Sequence, residues 1–111
     1  MKFRTHNDTQ IDINGTSLQG YIQATRAQLE RAFGEPDEGG DEVKITTMWT
    51  LLYANGEVAT IYDWKRYGAG YPKQSELISW HIGANVKRVE AMVHDSFRAA
   101  HGLSAPALKV A

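Results

Sequence analysis

Asn55-Gly56 lies between two runs rich in β-branched and aromatic residues, and nothing else in the chain restricts its fold as strongly. The runs cover residues 43–53 and 58–64. Asn-Gly is the strongest short hairpin signal, because a type I′ turn needs positive φ at both central positions. A two-residue turn there sets Tyr53 opposite Val58, Leu51 opposite Thr60 and Trp49 opposite Tyr62. Side chains alternate along a strand, so these six residues share one large aromatic face with Val43 and Ile45. Lys44, Thr46, Met48, Thr50, Leu52, Ala59, Ile61 and Asp63 take the other. Helices should cover one of the two faces, and the pattern leaves open which.

Residues 76–83 read as a third strand, with Ile78, Trp80 and Ile82 on one face and Leu77, Ser79 and His81 on the other. A first helix is expected over roughly 17–33. Thr16 is its N-cap, and Gln19 three residues later fits a capping box. Leu18, Tyr21, Ile22, Leu29, Ala32 and Phe33 recur at helical spacing, with Thr25 as a polar interruption. Gly34 and Pro36 stop it. A second helix starts near Asn85, with a stripe of Val86, Val89, Met92, Val93, Phe97 and Ala100, and closes at Gly102. Residues 11–13 alternate like a short edge strand before the turn signal Asn14-Gly15. Residues 35–42 hold five acidic side chains and no basic one, and read as a solvated loop. The expected class is α+β: an antiparallel three- to four-stranded sheet with two helices packed on one face, in the order α-β-β-β-α.

Length and composition agree with one globular domain over residues 1–111. Its core is expected at 14–102, with a flexible arm at 1–13. The tail at 103–111 reads either as disordered or as lying along a groove. Hydrophobic residues are 42% and charged residues 23%, as in ordinary globular chains. The net charge of −1 argues against strong nucleic-acid binding. Without cysteine there is no disulfide, thiolate metal site or cysteine nucleophile. No apolar run reaches the ~20 residues that span a bilayer, and the start does not read as a signal peptide. The expectation is a cytoplasmic protein with no membrane partner.

The chemistry concentrates after the hairpin. Tyr62-Asp63-Trp64-Lys65-Arg66-Tyr67, continuing to Lys73, brings four aromatics and three cations together. Rings of this kind stack on flat ligands, and Lys and Arg neutralise phosphate. Trp80-His81-Ile82-Gly83 adds an imidazole at the end of a strand. The expected ligand-binding residues are therefore Tyr62, Trp64, Lys65, Arg66, Tyr67, Trp80 and His81. The bland alternative makes the rings sheet residues and the cations solvated loop charges. No catalytic residues, metal or cofactor are expected. Glu90 and His94 are four apart on one helical face, a minimal metal pair that is more often surface pairing. Asp63 and His81 could meet across neighbouring strands as a general acid–base pair, the weakest of the readings.

Several segments carry a likeness. Asn14-Gly15-Thr16, Leu18-Gln19-Gly20-Tyr21-Ile22, Phe33-Gly34-Glu35-Pro36, Trp49, Ala59-Thr60-Ile61-Tyr62-Asp63-Trp64-Lys65 and Trp80-His81-Ile82-Gly83 span about residues 14–97. In this pattern the chain resembles a set of small proteins encoded by tailed bacteriophages and prophages. The resemblance implies an accessory role in the host cytoplasm: counter-defence, host takeover or handling of a small signal. The leading expectation is a non-enzymatic protein that sequesters an anionic nucleotide-like ligand and so blunts a bacterial defence. The alternative is a protein–protein inhibitor of a defence or host enzyme, acting through the aromatic sheet face or the acidic segment. Small sheets commonly pair edges or faces, so a homo-oligomer fits both.

Overall fold

The computed structural model describes residues 3–5, 15–38, 45–65 and 71–102. The elements run β1 (Phe3–Thr5), β2 (Ser17–Thr25), α1 (Arg26–Phe33), β3 (Asp37–Glu38), β4 (Thr47–Tyr53), β5 (Val58–Tyr62), β6 (Leu77–Ala84) and α2 (Arg88–Ala100). All strand pairings are antiparallel, in the order β1-β4-β5-β6-β2, with the two-residue β3 also on β4. Both helices contribute to the single buried cluster on one sheet face. The α+β class with two helices on one face therefore holds, with more strands than the three or four expected.

The additional long strand comes out of the expected first helix. Residues 17–25 form β2 and only Arg26–Phe33 is helical. Gly20, Ile22 and Ala24 turn inward and are buried, while Tyr21 and Gln23 are exposed, which is a period of two. Thr25 is the N-cap, not an interruption of a stripe. Its hydroxyl accepts from the Gln28 N–H at 3.1 Å, and Gln28 Oε1 accepts from the Thr25 N–H at 2.9 Å. The capping box is thus Thr25/Gln28, not Thr16/Gln19. Helix α2 likewise begins at Arg88 after Lys87, without a side-chain cap from Asn85.

The hairpin forms, but one residue out of the expected register. Leu52 faces Val58, Leu51 faces Ala59, Trp49 faces Ile61 and Met48 faces Tyr62. The Gly56 N–H donates to the Tyr53 carbonyl, and the Tyr53 N–H donates to the Glu57 carbonyl. Gly56 has φ +88, whereas Lys65 alone among the described non-glycines has positive φ. Asn55 therefore does not adopt a type I′ turn. The connection is a type I turn closed by a left-handed glycine, with Asn55 Oδ1 accepting from the Glu57 N–H at 3.0 Å. A one-residue slip sends every side chain of a strand to the other face. Trp49 and Leu51 consequently face the helices with Ala59 and Ile61, and Tyr62 faces away from them.

The core is built on Trp49 and Trp80, both fully buried, whose rings meet edge to face at 5.3 Å. Each indole N–H finds a carbonyl, Gly34 at 2.7 Å for Trp49 and Ala24 at 2.9 Å for Trp80. Leu29 and Phe33 from α1 and Val89 and Val93 from α2 fill the layer above. Residues 3–5 of the arm expected at 1–13 form β1 on β4. The rest of that arm with its expected strand at 11–13, the acidic residues 39–42 and the tail at 103–111 lie outside the described residues.

Candidate functional site

The face of the sheet without helices carries a row of rings. Tyr21 on β2, His81 on β6 and Tyr62 on β5 are direct cross-strand neighbours. His81 stands at the centre. Its ring lies 4.9 Å from Tyr21, 5.4 Å from Tyr62 and 5.8 Å from Trp64. Tyr62 and Trp64 meet at 6.1 Å. Trp64 is 37% exposed and Tyr21 51%, so the row is open to solvent at both ends. Gly83 floors the adjacent position, because a Cβ there would lie 2.5 Å from Thr60 Oγ1.

Lys65 places a cation beside this platform, with Nζ 5.4 Å from the Trp64 ring centroid. Its φ of 51° puts it in the left-handed region, which costs a side-chain-bearing residue about 1 kcal/mol. Burial pushes the His81 imidazole below its ordinary 6.5, so at neutral pH the ring is uncharged. Burial also raises the Tyr62 phenol, and the neighbouring Tyr21 adds to the effect, so Tyr62 remains a hydroxyl. Among the described residues, the site is a neutral aromatic surface with polar tips and one adjacent cation, Lys65.

Of the seven expected binding residues, Tyr62, Trp64, Lys65 and His81 come together here. Trp80 does not. It points to the opposite face and is fully buried, so it is removed from the site. Arg66 and Tyr67 lie outside the described residues. Tyr21 belongs to the site although the helical reading of residues 17–33 assigned it to a core stripe. The signal that could have found it is the alternation of Gly20, Ile22 and Ala24 with Tyr21 and Gln23.

Asp63 serves the fold instead. Its carboxylate is buried and accepts from the Thr46 N–H at 2.8 Å, the Thr47 N–H at 2.9 Å and the Thr46 hydroxyl at 2.6 Å. These bonds hold the entry to β4 against the exit of β5, the side of the sheet opposite His81. That arrangement speaks against the Asp63–His81 acid–base pair. The acidic segment is also partly engaged, since Glu38 binds Arg26 at 3.0 Å.

A separate groove of about 270 Å³ lies between the hairpin turn and the start of α2, lined by Asn55, Glu57, Val58, Asn85, Val86 and Arg88. It is bordered by the Glu57–Arg88 ion pair and holds none of the clustered rings. Among the described residues, no group of three His, Cys, Asp or Glu could hold a metal ion, and no helix is long and apolar enough to cross a membrane.

Fold and site together define an α+β protein with a solvent-facing aromatic sheet surface. No family model, curated protein or solved structure matches the chain.

Proposed function

We propose that this chain is a binding protein, not an enzyme, and that its open sheet face receives a flat-ringed, anionic, nucleotide-like ligand. The observation that carries the reading is the Tyr21–His81–Tyr62–Trp64 cluster with Lys65 beside it. Trp64 offers a partly exposed ring for stacking, Lys65 neutralises a phosphate, and the Tyr62 hydroxyl and neutral His81 give hydrogen bonds to a base or sugar. The resemblance to tailed-phage proteins supports placing this activity in an infected host's cytoplasm, as capture of a signal on which a bacterial defence depends.

Trp64 provides its own reporter, because the other two tryptophans are fully buried. Titration with cyclic di-AMP, cyclic di-GMP and cyclic tri-AMP should shift Trp64 emission with at least one of them and give heat by calorimetry. Trp64→Ala should weaken binding by about tenfold or more, as expected for one lost stacking partner. Flat titrations across the panel, with no small molecule carried through purification, would end this reading.

A second reading has one observation in its favour. Leu77 at 64% and Leu18 at 45% exposure extend the apolar surface along the same sheet face beyond the ring cluster. A protein partner or a second copy of the chain could cover it. Light scattering together with pull-down from host lysate separates this from ligand capture. Variants at Leu18 and Leu77 would then abolish the partner and spare nucleotide binding.

A further inference from the structure

We propose that Lys87, the N-cap of α2, together with Glu90 and His94 on the helix, forms a clamp that sets the position of Tyr21 in the open-face site by holding the backbone of β2 from the side away from β6. The functional part of this inference rests on the ligand-binding reading above; the clamp itself stands on geometry.

Among the described strands β2 lies at one end of the sheet, so alternate N–H and C=O groups along it face away from β6, and side chains of α2 and its N-cap meet them there. His94 Nε2 lies 3.0 Å from the Tyr21 carbonyl, and since a carbonyl can only accept, this nitrogen carries the proton. The Tyr21 N–H faces the Glu90 carboxylate and is the smallest of the influences that favour its ionised form. Lys87 Nζ donates to the Gln19 carbonyl and lies 2.6 Å from Glu90 Oε1. Positions 87, 90 and 94 share one stripe of the helix, which is why all three reach the same stretch of strand.

Gly20 makes the approach possible. A Cβ at that position would lie 1.7 Å from Glu90 Oε2, so the carboxylate occupies the space that a side chain would need. The register of β2 on β6 also shifts between Leu18 and Gly20, at the point where the clamp grips.

Both backbone groups of Tyr21 are therefore turned to α2 and away from β6. The Tyr21↔His81 pair is then a non-hydrogen-bonded one, the kind in which facing side chains come closest. This explains the 4.9 Å ring contact between them. The polar grip is on the backbone at the edge, and its consequence is on the open face.

The test uses the full chain and four substitutions. His94→Ala removes the donor, and His94→Gln retains one. Glu90→Gln removes the charge. Gly20→Ala displaces the Glu90 carboxylate without deleting it, and that group sits at the end of a flexible chain, so the fold can accommodate the change. Two readouts report on the clamp without ligand: the nuclear Overhauser contact between the Tyr21 and His81 rings, and exchange of the Tyr21 amide proton. In His94→Ala and Gly20→Ala the ring contact should weaken and the amide should exchange about tenfold faster or more. His94→Gln should stay close to wild type. If ring contact and exchange are unchanged in both His94→Ala and Gly20→Ala, the clamp is refuted. Trp64 emission during titration with cyclic di-AMP, cyclic di-GMP and cyclic tri-AMP is the second arm. Weaker binding in clamp variants that remain folded supports the positioning role. A wild-type protein that binds none of the three overturns the ligand reading, while the ring contact and exchange still decide the clamp.

Discussion

Asp63 shows how a functional-looking residue can be consumed by the fold. A buried carboxylate is tolerated when its oxygens are fully hydrogen-bonded, and here two backbone N–H groups and a hydroxyl do this. Asp63→Ala leaves those donors without partners and should cost about 3 kcal/mol, measured by urea unfolding. Asp63→Asn preserves one acceptor oxygen and should cost roughly half as much. A loss of less than about 0.5 kcal/mol in the alanine variant would contradict the bracket role. Lys65 poses the opposite case, a side chain held in a backbone region that disfavours it. Lys65→Gly should leave stability unchanged or raise it by up to about 1 kcal/mol. It should also weaken capture of an anionic ligand, a split between stability and binding that separates a site residue from a merely structural one.

At the scale of elements, the strand-to-helix switch at Thr25 is decided by a cap. Helix α1 has only eight residues, too few to be stable by propensity alone. It depends on the Thr25/Gln28 box and on burial of Leu29 and Phe33. Thr25→Ala should lower stability by about 1 kcal/mol, read from the urea midpoint, and a loss of less than about 0.3 kcal/mol would contradict the assigned helix start. Gly83 supports the open face in a similar way. Gly83→Ala forces a methyl group against Thr60 Oγ1, and overpacking of this kind costs about 1–3 kcal/mol. The second helix and the third strand were legible in the sequence, because Val89, Val93, Ile78, Trp80 and Ile82 follow unmixed periods. Residues 17–25 were not, because Leu18, Tyr21 and Ile22 satisfy a helical period as well as β2 does. What breaks the tie is pairing with β6, which lies more than fifty residues away in the chain.

The whole molecule carries a charge balance that makes it sensitive to acid. His81 binds a proton less readily in the folded protein than its ordinary 6.5, because burial disfavours the imidazolium. Below about pH 6.5 the unfolded chain gains a proton that the fold resists, so stability falls as pH drops through that region. Glu90 acts at lower pH. Its hydrogen bond from Lys87 leads a set of contacts that outweigh burial and hold its carboxyl below the ordinary 4.5. The stability it contributes is complete above that value and is lost as acid protonates it. The urea midpoint should therefore be highest near neutrality and decline in two stages on acidification. His81→Gln should flatten the upper stage and Glu90→Gln the lower. A midpoint that rises between pH 7 and pH 5 would contradict the His81 assignment, and one that rises on further acidification below about pH 4.5 would contradict the Glu90 assignment.

From the order of its residues alone, the chain specifies a hairpin around Gly56, a third strand at Leu77–Ala84, a second helix ending before Gly102 and the α+β class, since each depends on periodicity and turn chemistry within a few residues. The same local pattern grouped seven residues as a site, of which Tyr62, Trp64, Lys65 and His81 come together, Trp80 is buried, and Arg66 and Tyr67 lie outside the described residues. Tertiary contact alone decided the register of the hairpin, the conversion of residues 17–25 to an edge strand, the burial of Trp80 and the entry of Tyr21 into the ring row. The physical reason is that a strand's faces differ by one residue of register. The choice between them is made by whichever pairing puts Trp49, Ile61 and Trp80 under the helices, a long-range energy that no local window contains.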